Sequence, residues 1–568
     1  MQVTFAGSKF AKLLPAATFA MVVEFLMGLA DSAIAGHVLG ENALSSVNLM
    51  QPVFNVVSFF AMLVGVGASV LYSREMGRFE KRRASEFFTQ GLWCALGFGG
   101  IMLAAMAAFR TPVLSSFGVT GAVFEGASVY WLWFMPCAVL EPVAVFLTQM
   151  CYNDGDDRLC SVSYAAQLIC NCAMSVPLTM KFGLAGCAFG TVLGNMAAIA
   201  VMCVHFRRKT NTLTFVRHFS FRDAWRICAC SAGDASIRLC YAVLFYMLTQ
   251  YVITHFGPEK LPVLAVVTVV IGLSEAFDGV ATAAQPLAAV YIGEGNVRLT
   301  RRIMNRATVA AAVEGALLTV VLLAFPGIVV RLVGMSDAAL VADANAAVRL
   351  VSLGLVGTAV TMLYNSYYMF LSEMVLAIAL TVLSTFLAPA VMCLALGAAM
   401  GESGVWLALG LAPYAALALV AAWIAWRRGS GKVPLLLDRH RERSTRVYDL
   451  VLDEKSICAV SESIGKLLST RRCAGRELAA RAALLVEETL MVVKDRNAGR
   501  RILAEVSLDM SHGVSIVMRD DGEIFDITDA DAQISSLRSY LVSSLMQATP
   551  GRRNMTTTGF NRNHFALV

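Results

Sequence analysis

Long apolar runs succeed one another from near the start of the chain to about residue 426, and a mixed polar and apolar sequence follows them. A run of about 20 residues is what a helix needs to cross ~30 Å of hydrocarbon. The runs lie near 12–36, 48–73, 89–110, 125–151, 160–181, 186–206, 226–255, 262–292, 307–333, 343–371, 375–398 and 403–426. They predict twelve membrane-spanning helices. Beyond about Val447 the pattern changes. Ile457–Leu468 and Glu477–Val493 have helical periodicity, while Arg501–Asp509 and Gly513–Arg519 alternate like strands about the turn-prone Ser511-His-Gly513. A small folded α/β domain is expected there.

The first run is too long for the apolar core of a cleaved leader and carries Glu24 and Asp31, so it reads as helix 1. The loops alternate in basic residues. Arg74, Arg78, Lys81, Arg82 and Arg83 follow span 2; Arg207, Arg208, Lys209, Arg217, Arg222 and Arg226 follow span 6; Arg298, Arg301, Arg302 and Arg306 follow span 8. The intervals 37–47, 182–185 and 399–402 hold no Lys or Arg. Positive loops stay inside, so both termini and the tail are expected in the cytoplasm of a cell (plasma) membrane protein.

Composition agrees with this division. Only 15% of the 568 residues are charged, against about a quarter in soluble proteins. The net charge of +6 is explained by the inner loops and gives no reason to expect nucleic acid. The fourteen cysteines sit mostly inside apolar runs without metal-ligand spacing, so small packing residues are the better reading and no metal site is expected.

The chain also repeats itself. Gly65-Val-Gly-Ala-Ser-Val-Leu-Tyr-Ser-Arg-Glu-Met-Gly77 closes span 2, and Gly279-Val-Ala-Thr-Ala-Ala-Gln-Pro-Leu-Ala-Ala-Val-Tyr-Ile-Gly293 closes span 8, each before a basic loop. Six spans separate the copies, which implies two pseudo-symmetric six-helix lobes, an architecture of transporters. The expected organisation is an N-lobe over 1–206, a cytoplasmic linker over 207–225, a C-lobe over 226–428, a basic linker over 429–446 and a soluble domain over 447–568.

A carboxylate within hydrocarbon costs several kcal/mol, roughly, and needs a reason to be there. Glu24 and Asp31 are two helical turns apart on one face of helix 1. Glu275 and Asp278 share a face of helix 8 and are candidates for attracting a cationic substrate. Asp234 is one turn before Arg238, so an ion pair within helix 7 is as good an account as a direct role in the cavity. Glu141 precedes Pro142, where a kink frees a carbonyl. The 27 Met and 31 Phe suit a deformable pocket and equally suit lipid-facing helices.

Leu29-Ala-Asp31-Ser-Ala-Ile-Ala-Gly36, Gly155-Asp156, Asn171, Gly183-Leu-Ala-Gly-Cys-Ala-Phe-Gly-Thr191 and Gln285-Pro286…Gly293-Glu-Gly-Asn296 occur in this order along the spans. In these pieces the chain resembles the multidrug and toxic compound extrusion family of cation-coupled antiporters over about residues 10–428. The resemblance implies two rocking lobes that export organic cations in exchange for Na⁺ or H⁺. It makes Asp31 the coupling acid, with Asn171, Ser175 and Thr191 completing an oxygen cage. Oxygen ligands suit Na⁺, and an acid in an apolar pocket can also take a proton near neutral pH. The family usually has Asp where this chain has Ser175, so one anionic ligand is missing; Glu24 is the candidate replacement. The alternative is that Asp31 only satisfies polar partners inside the lobe.

The tail resembles the histidine-kinase-like ATP-binding domains of the anti-sigma-factor type. Leu485-Val-Glu487-Glu488, Arg519-Asp-Asp521-Gly522-Glu-Ile-Phe525-Asp526 and Gly559-Phe-Asn-Arg-Asn563 carry the likeness. The resemblance puts the adenine-binding acid at Asp521, beside Gly522, and the metal-binding Asn at about Val492, which cannot ligate. A glycine-rich lid is not seen between about 530 and 550. A degenerate, regulatory module that does not hydrolyse nucleotide is expected, with a cytoplasmic protein as its possible partner and no required cofactor. The expectation is a monomeric, non-enzymatic exporter of small molecules. The alternatives are a lipid-linked precursor flippase, which would favour a basic cavity, and a membrane-anchored signalling protein.

Overall fold

The structure is a computed structural model; it describes residues 4–77, 81–154, 156–208, 211, 213–371, 373–437, 444–470, 475–511, 513–523, 542, 544–545, 553–554 and 561–567. It divides into two compact units. The larger comprises Thr18–Gly279 and Ala310–Val420. The smaller joins Met1–Ala17 and Val280–Val309 to Ala421–Val568.

The membrane part is helical throughout. In chain order it has α1 (Phe5–Leu39), α2 (Glu41–Asn48), α3 (Gln51–Gly77), α4 (Lys81–Ser116), α5 (Ala122–Phe134), α6 (Cys137–Asn153), α7 (Asp157–Phe182), α8 (Leu184–Cys203) and α9 (Phe221–Phe256). It continues with α10 (Leu261–Gly272), α11 (Asp278–Gly293), α12 (Val297–Ala324), α13 (Gly327–Leu332), α14 (Ala338–Ser352), α15 (Leu355–Phe370), α16 (Met374–Val382), α17 (Ala388–Met400) and α18 (Glu402–Arg428). Among the described residues eight helices are long and apolar enough to cross a membrane, or ten if each of two bent pairs is one span.

Several runs expected as single rods are broken. The α5–α6 pair bends by 49° and α14–α15 by 45°. Pro136 stands at the first break and Gly354 at the second, residues that lack an amide hydrogen or a side chain to stiffen the rod. A 3₁₀ turn, Leu273–Phe277, interrupts span 8. A π-helical turn, Leu383–Leu387, joins α16 to α17.

The α7–α8 and α17–α18 hairpins are built alike. Gly183 (φ 64°) and Gly401 (φ 66°) each turn the chain in the left-handed region, where a side chain would be strained. Three residues on, a Cβ at Gly186 would lie 2.1 Å from the Leu178 carbonyl oxygen, and one at Gly404 2.0 Å from that of Leu396. Ser175 donates to the Cys187 carbonyl at 3.4 Å, and Cys393 to that of Val405 at 3.7 Å. Small residues of this kind let membrane helices approach closely.

The tail forms a five-stranded antiparallel sheet of order β1-β2-β3-β5-β4, from β1 (Thr445–Val451), β2 (Leu503–Asp509), β3 (Val514–Asp520), β4 (Arg553–Asn554) and β5 (Asn561–Leu567). Helices Glu454–Ser469 and Arg476–Arg496 cover one face. Ile457, Ile464, Leu485 and Val486 meet Leu450, Val506, Ile516 and Phe565 in the core between them. The helices and two central strands lie where periodicity placed them. The first strand was not expected, and its start at Thr445 shortens the basic linker by two residues.

Candidate functional site

Helical periodicity brings Asp31, on α1, against α7 and α8. Asp31 is 8% exposed. Thr191 Oγ1 donates to Asp31 Oδ2 at 2.6 Å, and Asn171 Nδ2 approaches Oδ1 at 3.5 Å. Asn171 also donates to Thr191 Oγ1 at 3.1 Å, and Ser175 donates to Asn171 Oδ1 at 3.3 Å. Asp31, Asn171, Ser175 and Thr191 are thus brought together. Glu24 lies two turns earlier on α1, and its side chain is outside the described residues.

A fifth residue joins them. Tyr130, on α5, is fully buried and donates its hydroxyl to Asp31 Oδ2. Nothing in its local sequence sets it apart from the aromatic stretch Tyr130–Phe134. Two further residues do have a sequence signal. Gln167 continues the polar row of Asn171 and Ser175 on α7, and Asn195 continues that of Thr191 on α8, each at i,i+4. Gln167 donates to Asn195 Oδ1 at 3.2 Å, and Asn195 to the Thr191 carbonyl at 3.2 Å.

Among the described residues the arrangement offers one carboxylate, three hydroxyls and an amide oxygen in a buried, polar-lined pocket. Such a set suits a proton or a monovalent cation, because a divalent ion needs more anionic ligands to offset its dehydration. Among the described residues no three His, Cys, Asp or Glu side chains gather into a metal site. Tyr130→Phe removes one donor to the carboxylate without changing its charge. Cation affinity is expected to change about five- to tenfold, the scale of one hydrogen bond, as read by Na⁺ or proton titration of the purified protein.

A separate cavity of about 290 Å³ is lined by residues of α1, α2, α3, α6, α9 and α10, among them Phe25, Gln51, Asn55, Glu141, Arg238 and Tyr241. Glu141 accepts from Ser58 Oγ at 2.5 Å. Among the described lining residues Glu141 and Arg238 carry the charge. Asp278 is half-buried at the start of α11, after the 3₁₀ turn that contains Glu275. The side chains of Asp234 and Glu275 are outside the described residues.

The MatE family model matches this chain twice, over residues 16–176 and 235–395. The chain belongs to the MatE family. Its two matched segments begin in α1 and α9, one in each half. The multidrug export protein MepA of Staphylococcus aureus (strain MSSA476) is 20% identical over 195 residues, 34% of this chain and 43% of that protein. The chain thus spans less than half the length of the curated relatives it matches. An inward-facing multidrug resistance MATE family transporter of the MOP superfamily superposes with a TM-score of 0.65 at 21% identity, covering 72% of this chain and 96% of the other. A MOP superfamily transporter from Pyrococcus furiosus described as having a binding pocket of reverse polarity gives 0.62 at 21%, covering 74% and 95%. These likenesses establish the fold of a membrane transporter.

The tail of this MatE protein distributes its expected nucleotide-binding residues as follows. Glu487 is half-buried and accepts from Ser461 at 3.0 Å; its neighbour Glu488 is half-buried too. Val492 packs in the hydrophobic core. Asp521 Oδ1 accepts the Leu503 amide at 2.7 Å, while the neighbouring Asp520 is 1% exposed and accepts from Asn561 at 2.8 Å and from the Gly522 amide at 3.1 Å. Most of 530–550, the expected lid region, lies outside the described residues.

Burial pushes the Asp520 carboxyl up to about 6, against the hydrogen bonds from Asn561 and Gly522. A carboxyl whose folded pKa is raised contributes its full stability below the unfolded value and loses it as pH rises through the folded one. Between about pH 4 and pH 6 the tail is therefore expected to weaken. Asp520→Asn removes that penalty and is expected to stabilise the tail by roughly 3 kcal/mol at pH 8 and to leave it unchanged at pH 3.5. Urea titrations of the full-length protein, scored by proteolysis of the tail, measure the difference.

Proposed function

We propose that this protein is a cation-coupled antiporter that exports organic, predominantly cationic, small molecules by alternating access. The observation that carries this reading is the buried Asp31 with Tyr130, Thr191 and Asn171 around it, a site with the donors to exchange a proton or Na⁺. Membership of the MatE family supports the transport function, and the doubled match of the family model supports two lobes. Twelve crossings follow if α1 and the broken α10–α11 rod also span the bilayer. The basic loops then put both termini in the cytoplasm. The tail serves regulation, with nucleotide or a cytoplasmic protein as its effector, and a monomer suffices for transport.

Glu141 in the cavity supports a cationic substrate. Arg238 in the same lining favours a second reading, a flippase for anionic lipid-linked precursors. The deciding experiment is ethidium efflux from everted vesicles under separate Na⁺ and H⁺ gradients, alongside competition by an anionic lipid-linked sugar. Efflux driven by either gradient supports the antiporter; no gradient-driven efflux, with binding of the lipid precursor, supports the flippase.

A further inference from the structure

The central strands β2 and β3 of the tail sheet are largely buried on both faces, although the tail's own helices cover only one. On the second face the register aligns Asp449 of β1 with Glu505 of β2, Glu505 with Arg519 of β3, and Arg519 with Arg562 of β5. Four strands thus present one row of charges, two acids followed by two bases. Glu505 and Arg519 are wholly buried, which charges tolerate only with partners.

The helix ends grouped with the tail in the smaller unit supply those partners in matching order. Arg302 of α12 pairs with Asp449 at 2.5 Å. Glu294, just past α11, pairs with Arg519 and, at 2.6 Å, with Arg562. Arg519 also binds Glu505 at 2.8 Å and stands over the Tyr291 ring at 4.9 Å. The contacts to α1 are lighter. The Phe5 amide donates to Asp449 Oδ1 at 3.2 Å, and the exposed Lys12 stands 3.8 Å from Asp521. Arg306 of α12 donates directly to Thr4 Oγ1 at 2.6 Å.

We propose that the charged sheet row makes the tail a staple, anchored on α11 and α12 and gripping the start of α1, that holds these cytoplasmic helix ends together and must release α1 for inward opening. The proposal rests on the alternating-access reading, in which α1 belongs to one lobe and α11 and α12 to the other. The asymmetry of the contacts decides which side lets go. Four charges, two of them wholly buried, hold the tail to α11 and α12. The described contacts to α1, by contrast, include an amide hydrogen bond, the exposed Lys12–Asp521 pair and the attraction of half-buried Lys9 to Asp520 and Asp521, with no wholly buried charge among these α1 residues. An exposed pair of that kind contributes little. By reciprocity, a ligand that lifts the tail favours the inward-open state, and a condition that closes the inner side protects the row from solvent.

Hydrogen exchange of the full-length protein, compared between wild type and Glu294→Gln at one pH, tests this. The substitution leaves Arg519 and Arg562 without their anion. Amides of β2 and β3 and those of residues 6–12 on α1 are expected to exchange about tenfold faster, the factor for a loss of about 1.4 kcal/mol. Glu294→Asp keeps the charge and is expected to recover most of the protection; Lys12→Gln is expected to change little. Strands that loosen while residues 6–12 keep wild-type exchange overturn the staple. Strands as protected in Glu294→Gln as in wild type overturn the anchor. Exchange is read without substrate or gradient, so failure of the efflux experiment with Asp31 variants leaves this test standing and is told apart from it.

Discussion

Asp31→Asn is expected to abolish gradient-driven efflux while the protein still folds and reaches the membrane. The side chain keeps its volume and can still hydrogen-bond within the pocket formed by Tyr130, Thr191 and Asn171. What disappears is the one carboxylate that the described residues place in the cage. Losing a charge partner in a buried site costs about 3 kcal/mol or more, so cation affinity should fall on the order of a hundredfold. Ethidium efflux from everted vesicles, run under Na⁺ and H⁺ gradients separately, measures the effect. Efflux equal to wild type under both gradients would mean that Asp31 only satisfies hydrogen bonds inside its lobe. The wild-type comparison also resolves the coupling ion, since Ser175 stands where the family usually has a second acid and the remaining single charge can serve either cation.

The second large effect is steric. A methyl group at Gly190 would lie 1.9 Å from Ser175 Oγ and 2.8 Å from the Ser175 Cα, so α7 and α8 cannot keep their present approach. Overpacking of this kind costs about 1–3 kcal/mol. Here the displaced residue is a member of the cage, one hydrogen bond from Asn171. Gly190→Ala is therefore expected to depress coupled efflux at least as strongly as it depresses thermal stability. Gly100→Ala is the control, because a Cβ there meets nothing within 4 Å. Equal efflux in the two variants would show that the cage tolerates separation of α7 from α8.

The sequence made some of this legible and concealed the rest for physical reasons. Asp31 announced itself because a carboxylate in an apolar run needs an explanation, and the family resemblance then pointed to Asn171, Ser175 and Thr191. Their meeting follows from two helices in register. Tyr130 gave no such sign, since a tyrosine costs little in a membrane helix whether or not it touches an acid. Glu141 could be flagged as an acid within a span, but its cavity is formed with Arg238 from another helix. The π turn at Leu383–Leu387 falls in a run whose hydropathy is uninterrupted, and hydropathy does not register a change from α to π geometry. Leu273–Phe277 carries Ser274 and Glu275, but polar residues in a span do not by themselves specify a 3₁₀ turn. The charge row was hidden most completely. Asp449, Glu505, Arg519 and Arg562 are each ordinary in their own segments, and only the pairing of β1, β2, β3 and β5 sets them side by side.

That pairing bears on the order in which the molecule is made. Phe5 and Asp449, joined through an amide and a carboxylate, are 444 residues apart in the chain. During synthesis α1 leaves the ribosome long before β1 exists, and Arg562 must follow before Glu294 acquires both of its arginines. Until then Glu294 and Arg302 lack their partners in the sheet, and the early helices must associate without its help. A chain translated only as far as α18 would thus leave Glu294 and Arg302 without these partners. Closure of the charge row is thus a late event, following the synthesis of all the helices it joins.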